Sequence, residues 1–185
     1  MPPNGIAVYV MAGLSMMQSL FGEQRRARAV LGLRVLGSAP EPVFDRLVSA
    51  AASAFDAPMA LLSLIHRDQQ WVKASHGITL DCYPRHDSFC THALDRSDVL
   101  ECTDPLDDPR FAALPGVTGA PYVRYYIGAP LRRLNGAHVG VLCVVDTRRR
   151  HPASPDQAAY LMGLARQAST ALEARLDRQV RSRLA

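Results

Sequence analysis

Residues 124–145 read Arg124-Tyr-Tyr-Ile-Gly-Ala-Pro-Leu-Arg-Arg-Leu-Asn-Gly-Ala-His-Val-Gly-Val-Leu-Cys-Val-Val145. Two apolar runs, rich in β-branched and aromatic side chains, flank Asn135-Gly136. That dipeptide is the strongest short hairpin signal, since both residues tolerate the positive φ of a two-residue reverse turn. The stretch predicts antiparallel strands over Arg124–Leu131 and His138–Val145, and with them a sheet built from hairpins.

Working upstream, Met59–Ile65 reads as a buried strand, His66–Gln69 as a turn and Gln70–Ser75 as its hairpin partner, with Trp71 and Lys73 pointing to one face. Val99–Cys102 is a further short strand. Phe44, Leu47, Val48, Ala51 and Phe55 repeat at helical spacing, and Asp56-Ala-Pro58 stops that helix. Arg25–Leu36 is a shorter amphipathic helix, ended by Gly37 and Pro40-Glu-Pro42. Gly77–Pro84 reads as a loop. Ser88–Leu94 predicts one or two helical turns, with Asp87 or Ser88 supplying the cap oxygen. Thr103–Tyr122 is a long loop with a turn of helix near Asp108-Pro-Arg-Phe111; loops of this length inside a compact domain are usually functional.

Downstream, Ser154-Pro-Asp-Gln157 is a capping box with Pro at the first helical position. It opens a helix running to Arg183, with Leu161, Ala165, Ala168, Leu172, Leu176, Val180 and Leu184 on one side. The surplus length predicts pairing with a second copy or passage into a coiled coil. The order is helix, hairpin, short helix, strand, long loop, hairpin, long helix. That is an α+β domain: a central antiparallel sheet with the terminal helices on one face and the short helix plus long loop on the other.

Composition narrows the class. The 185 residues are 48% hydrophobic, enough for one core and about one domain. The net charge of +4 is carried almost wholly by Arg, Lys73 being the only lysine, and it collects toward the ends, at 23–28, 148–151 and 175–183. A nucleic-acid binder would interleave a basic face with aromatics. These bases read instead as solvated helix surfaces and a loop, so no nucleic-acid partner is expected. The four cysteines are unevenly spaced and lack a secretory signature, which predicts a reduced, cytoplasmic protein. Cys143, inside an apolar run, reads as a small hydrophobe. The uncharged first 22 residues lack the basic start of a signal peptide, and Gly, Ser and Gln interrupt them as a membrane span. No membrane partner is expected. Residues 1–29 read as an extension, partly helical or disordered, 30–175 as the domain, and 176–185 as a continuation of the last helix.

Six blocks in order then resemble the GAF domain family of small-molecule sensor modules, in particular the subgroup at the N-terminus of bacterial sensor kinases and diguanylate cyclases, or standing alone. They are Val35–Leu47, Gln70-Trp-Val-Lys73, Arg85-His-Asp-Ser-Phe-Cys-Thr-His-Ala93, Asp107-Asp-Pro-Arg-Phe111, Val123–Leu131 and Val139–Asp146. The resemblance implies a sheet of five or six strands, a ligand pocket between the sheet and the segments after the first hairpin, and a homodimer bundle of the first and last helices. No output domain is read in the chain, which leaves two expectations: a lone module, or one that signals through a separate output protein.

The chemistry centres on Cys90-Thr-His92. On a helix, residues two apart point to nearly opposite sides, so this thiol and imidazole do not form a nucleophile–base pair. One branch of the family reduces free methionine sulfoxide with cysteines. That branch needs a cysteine in the loop before the Tyr-Ile-Gly-Ala-Pro-Leu strand, where Pro115–Pro121 has none. Cys82, His86, Cys90 and His92 lack the two short-spaced pairs of a closed zinc site, and the cysteine–histidine pair of the bilin-binding branch is missing. Non-covalent sensing of an unidentified small molecule is left, with no cofactor specified. The candidate ligand contacts are Arg85, Asp87, Ser88, Cys90 and His92 around the short helix, Asp104, Asp108 and Arg110 on the loop, and Arg124 and Tyr126 on the strand beneath. Arg85, Asp87, Asp108 and Arg110 serve equally well as salt-bridge braces of the loop. Trp71, Phe89, Phe111 and Tyr125 read as core. A cysteine-dependent reductase and a ligand-free dimerisation module are the alternatives.

Overall fold

The computed structural model describes residues 20–184, with side chains described as far as residue 176. One six-stranded antiparallel sheet comprises β1 (Met59–His66), β2 (Gln69–His76), β3 (Cys82–Pro84), β4 (Leu100–Cys102), β5 (Tyr125–Arg132) and β6 (His138–Asp146). Its spatial order is β3-β2-β1-β6-β5-β4. The helices are α1 (20–32), α2 (Pro42–Ala54), α3 (Cys90–Ala93), α4 (Pro115–Thr118) and α5 (Pro155–Leu184).

The central strands β1 and β6 are covered on both faces. They are therefore apolar almost throughout, and only His66 and His138 are less than buried. They approach so closely that a Cβ at Gly140 would stand 2.0 Å from the Ser63 carbonyl oxygen. On one face Ala60, Leu62, Leu64, Ile127, Leu142 and Val144 meet Val30 and Leu33 of the α1 end, Phe44, Val48 and Ala51 of α2, and Leu161, Ala165, Ala168 and Leu172 of α5. On the other, Met59, Leu61, Ile65, Tyr126, Val141, Cys143 and Val145 meet Phe89, Cys90, Leu94, Phe111, Leu114 and Val117.

Both local signals form, the hairpin through a different turn from the two-residue one. The Arg133 carbonyl accepts the Gly136 N–H at 2.9 Å, so Leu134 and Asn135 are the central residues and, of the Asn-Gly pair, Gly136 alone has positive φ. Gly136 takes φ +80, and the Asn135 Oδ1 accepts the Ala137 N–H at 3.1 Å to close the β5–β6 hairpin. At the start of α5 the Ser154 Oγ accepts the Gln157 N–H and the Gln157 Oε1 accepts the Ser154 N–H, each at 3.1 Å. Trp71 and Lys73 both border the crevice at 35–38, but Lys73 does so from a bulge, where pairing jumps from Leu62↔Ala74 to Ser63↔Val72. Its ammonium donates to the Ser38 Oγ at 2.8 Å and the Ala39 carbonyl at 2.6 Å, and lies 2.9 Å from Glu41. Glu41 also receives Arg175 Nε of α5 at 2.6 Å. Burial acts to raise the Glu41 pKa, yet the two cations together hold it below the usual carboxylate range.

Four expectations are corrected. Gly77–Pro84 is not all loop, because Cys82–Pro84 pairs with β2 as an edge strand. Three residues ending in Pro carry no periodicity from which to read it. The long loop holds α4 at Pro115–Thr118, while 108–112 forms hydrogen-bonded turns. The first helix spans 20–32 rather than 25–36, and its Arg26 and Ala29 are buried, so the boundary placed at 29/30 falls inside a packed helix. Residues 1–19 of the expected extension, and the side chains of Val180 and Leu184, lie outside what the structure describes.

Candidate functional site

The second face of the sheet is not filled. A cavity of about 440 Å³ lies between β1, β5 and β6 on its floor, the 78–80 loop and the 87–90 segment on one side, and 115–123 on the other. That volume is in the range of small-molecule sites. Met59, Leu61, Val145, Ile78, Leu80, Phe89, Pro121 and Val123 make the lining mainly apolar, and its one carboxylate is Asp87. No Arg, Lys or His lines it among the described residues.

A chain of buried polar groups runs along one wall. Gln70 on β2 is fully buried and faces Tyr83 across the β2–β3 pair. Its Nε2 donates to the Tyr83 hydroxyl at 2.6 Å, and its Oε1 accepts the Ser88 hydroxyl. Ser88 Oγ in turn accepts the Cys90 N–H at 2.9 Å, so the serine sets the entry to α3. The turn preceding it is pinned by the Arg85 N–H to the Asp68 carbonyl at 2.8 Å and by the Thr91 hydroxyl to the Arg85 carbonyl at 2.8 Å. This aims the Cys90 side chain at the sheet. There the Tyr126 hydroxyl donates to its Sγ at 3.4 Å, and the Cys143 Sγ lies 3.8 Å away. Tyr126 lies over Gly128, where a Cβ would stand 2.2 Å from the phenol oxygen. Phe89 stacks on the Tyr126 ring at 4.9 Å and tilts against Phe111 at 4.7 Å.

This environment polarises the thiols. The hydrogen bond between the two thiols brings the Cys90 pKa down to about 7 against the burial that would raise it, and Tyr126, Gln70 and Ser88 act in the same direction. Cys143 is pushed well above its ordinary range by that hydrogen bond and by burial. Burial, then the neighbouring sulfurs, likewise push the Tyr126 hydroxyl up, so it stays a donor.

Of the ten expected contacts, the structure brings Asp87, Ser88, Cys90 and Tyr126 to the cavity. The other six lie elsewhere, most of them occupied by partners. Arg85 pairs with Glu23 at 2.8 Å. His92 is exposed, edge-on to Phe111 at 5.0 Å. Asp104 pairs with Arg149 at 2.5 Å, and Asp108 with Arg110 at 2.6 Å. Arg124 donates to the Val117 and Val123 carbonyls at 3.0 and 2.8 Å. Charges on a loop pair with one another at the surface because entering an apolar cavity would cost their hydration. Phe89, expected as plain core, is cavity wall. Sequence reasoning missed Gln70, Tyr83 and Cys143. Gln70 and Tyr83 carried a usable signal, a polar residue inside a strand opposite an aromatic one, but only once β3 is recognised.

The GAF domain family matches residues 39–172, and the chain belongs to that family of sensor modules. It is 39% identical over 144 residues to a cyclic di-GMP phosphodiesterase of Pseudomonas aeruginosa, taking in 78% of this chain and 24% of that protein. The chain thus spans about a quarter of that relative's length. Its fold is similar to the GAF domain of an Acinetobacter phosphoenolpyruvate-protein phosphotransferase, with TM-score 0.61 and 18% identity over 85% of this chain and 93% of that one. It is also similar to the type II free methionine-R-sulfoxide reductase of Thermoplasma acidophilum, with TM-score 0.56 and 15% identity over 71% of this chain and 93% of the other. At these identities the two structures speak to fold alone.

Proposed function

We propose that this chain is a cytoplasmic sensor module that binds a small, largely apolar molecule non-covalently in the cavity and signals as a homodimer through α1 and α5 to a separate output protein. The observation that carries this reading is the cavity itself: an apolar lining over a hydrogen-bonded polar wall, with Asp87 the one Asp, Glu, Lys or Arg to line it among the described residues. Such a lining favours a neutral or cationic ligand. Phosphates would find no cation there to repay their desolvation, which argues against cyclic di-GMP as the ligand even though the Pseudomonas relative is named for acting on it. We read the shared segment as the counterpart of a regulatory part of that longer protein.

Support for a dimer comes from the helices. Leu20, Phe21 and Leu31 of α1 are exposed, and a groove between α2 and α5 is bordered by Val43, Leu47, Ala50, Tyr160 and Ala171. Among the described residues no helix is long and apolar enough to cross a membrane. Ligand occupancy would signal only if it favours one arrangement of the helices over another.

The test is a melting-temperature screen of the whole chain against neutral and amine metabolites, with cyclic di-GMP as the anionic control, alongside its mass in solution. We expect a concentration-dependent upward shift for a neutral or cationic compound, lost when Val145→Trp fills the cavity, and a dimeric mass. A strict monomer that no compound stabilises would sink this reading. For the reductase alternative, we expect no methionine sulfoxide turnover that distinguishes wild type from Cys90→Ser.

A further inference from the structure

Cys90 and Cys143 come from α3 and β6, 53 positions apart in the chain, and meet in the wall of the cavity with their sulfurs 3.8 Å apart. A disulfide needs about 2 Å between sulfurs, so side-chain rotation must close the remaining gap. Cys90 sits on a four-residue helix flanked by loops and can supply that movement, whereas Cys143 is held in a central strand. The other two cysteines differ. Exposed Cys82 donates to the Gln69 side chain at 3.2 Å, and Cys102 faces the Asp108 carboxylate at 3.8 Å.

We propose that Cys90 and Cys143 form a dithiol modification site, converted to a disulfide by a small hydroperoxide that enters through the cavity. The Cys90 thiolate attacks one peroxide oxygen, the O–O bond breaks, and the departing oxygen takes up a proton, leaving Cys90 as a sulfenic acid. The Cys143 sulfur then attacks the Cys90 sulfur. The S–S bond forms and the sulfenic oxygen leaves as water with the Cys143 proton. In sum, two thiols give up two electrons and two protons, and the peroxide becomes an alcohol, or water, plus one further water.

Three observations place the reaction here rather than at Cys82 or Cys102. The cavity gives a small oxidant access to an otherwise buried pair. Each sulfur has the other as its resolving partner. The Cys90 thiol is lowered to about 7, while burial and then Asp81 push Cys82 up and burial and then Asp108 push Cys102 up to about 11. The site holds whatever molecule the cavity binds, or none, so its test is separate from the ligand screen.

Each of the four cysteines falls in its own tryptic peptide: 74–85, 86–96, 97–110 and 134–148. The reduced whole chain is treated with hydrogen peroxide, alkylated, digested without reductant and mapped. The expected result is a mass loss of about 2 Da before alkylation, for the two hydrogens removed, and a cross-link between peptides 86–96 and 134–148 that dithiothreitol reverses. In Cys143→Ala the cross-link disappears and a dimedone adduct accumulates on Cys90. The wild-type map decides even if that variant does not fold. Free thiols at 90 and 143 while Cys82 or Cys102 oxidises would overturn the proposal. So would conversion of Cys90 to sulfinic acid without a link to Cys143.

Discussion

Leu61 and Leu62 are neighbours on β1 that point to opposite faces of the sheet and meet opposite kinds of cover. Leu62 is fully buried in the cluster formed with α1, α2 and α5, whereas Leu61, 6% exposed, borders the cavity. Long helices bring continuous apolar stripes, and α5 alone contributes Leu161, Leu164, Ala165, Ala168 and Leu172 to a filled layer. The opposite cover consists of two four-residue helices and loops, which bring isolated side chains and cannot tile a surface without gaps. Stability therefore resides mostly on the helical face, and the room for chemistry on the other.

Truncating each leucine tests this directly, and is expected to give the largest effect. Leu62→Ala should cost about 3–4 kcal/mol, because it opens a void in a closed layer. Leu61→Ala should cost about 2 kcal/mol, the low end for a buried leucine, because it widens a cavity that already exists. Urea unfolding midpoints at unchanged m value measure both. Equal losses would show that the two faces are packed alike.

The next effect concerns how the helical face is locked. Arg175 binds the Glu41 carboxylate at 2.6 Å and the Leu33 and Arg34 carbonyls at 3.1 and 2.9 Å, joining α5 to the α1–α2 linker. Arg175→Met should cost about 2–3 kcal/mol, since it removes the donor while leaving Glu41 half-buried beside Lys73. A loss smaller than that of Leu61→Ala would place this cluster among solvated surface pairs.

Gly128→Ala probes the cavity face with a smaller expected cost of about 1–2 kcal/mol, the range for an overpacked methyl. The new methyl would displace the Tyr126 hydroxyl, which lies 2.2 Å from its position. Cys90 would then lose the donor at 3.4 Å that helps hold its thiol down. Cys90 alkylation at pH 7 should slow several-fold, while the helical face is untouched. An unchanged rate would separate Tyr126 from the thiol chemistry.

Legibility in the sequence followed the same division. The Asn135-Gly136 hairpin and the Ser154–Gln157 capping box are local, each completed by residues within three positions, so residue types suffice to read them. The long helix α5 could be read from its apolar period. On the other face, Gln70, Tyr83, Ser88 and Cys90 become one hydrogen-bonded chain only after β2, β3 and the turn into α3 have been assembled. Cys143 looks like any small apolar residue in its strand, and its partner sulfur lies 53 positions away. Charged loop residues misled for a physical reason: Asp104 and Asp108 are conspicuous in sequence, yet their charges are better satisfied by Arg149 and Arg110 than by a cavity.

Asp108 offers the smallest test and the finest one, because it belongs to the cover of the cavity face. Its carboxylate accepts the Arg110 side chain and backbone N–H, and these bonds prevail over burial to hold its pKa at about 2, below the ordinary 3.8. A depressed carboxylate stabilises the fold while ionised. The contribution is complete above about pH 4 and is lost as the pH falls through about 2. Arg110 is largely exposed, so screening by water limits the pair to no more than about 1 kcal/mol. The comparison is between wild type and Asp108→Asn, unfolded by urea at steps from pH 5 to pH 2. Other carboxylates, Glu41 and Glu173 among them, titrate in both proteins and cancel in the difference. Wild type should be the more stable at pH 5 and should lose that margin toward pH 2. If the margin does not change with pH, the pair does not brace the loop, and the loop is held to that face by apolar contacts such as those of Phe111, Leu114 and Val117.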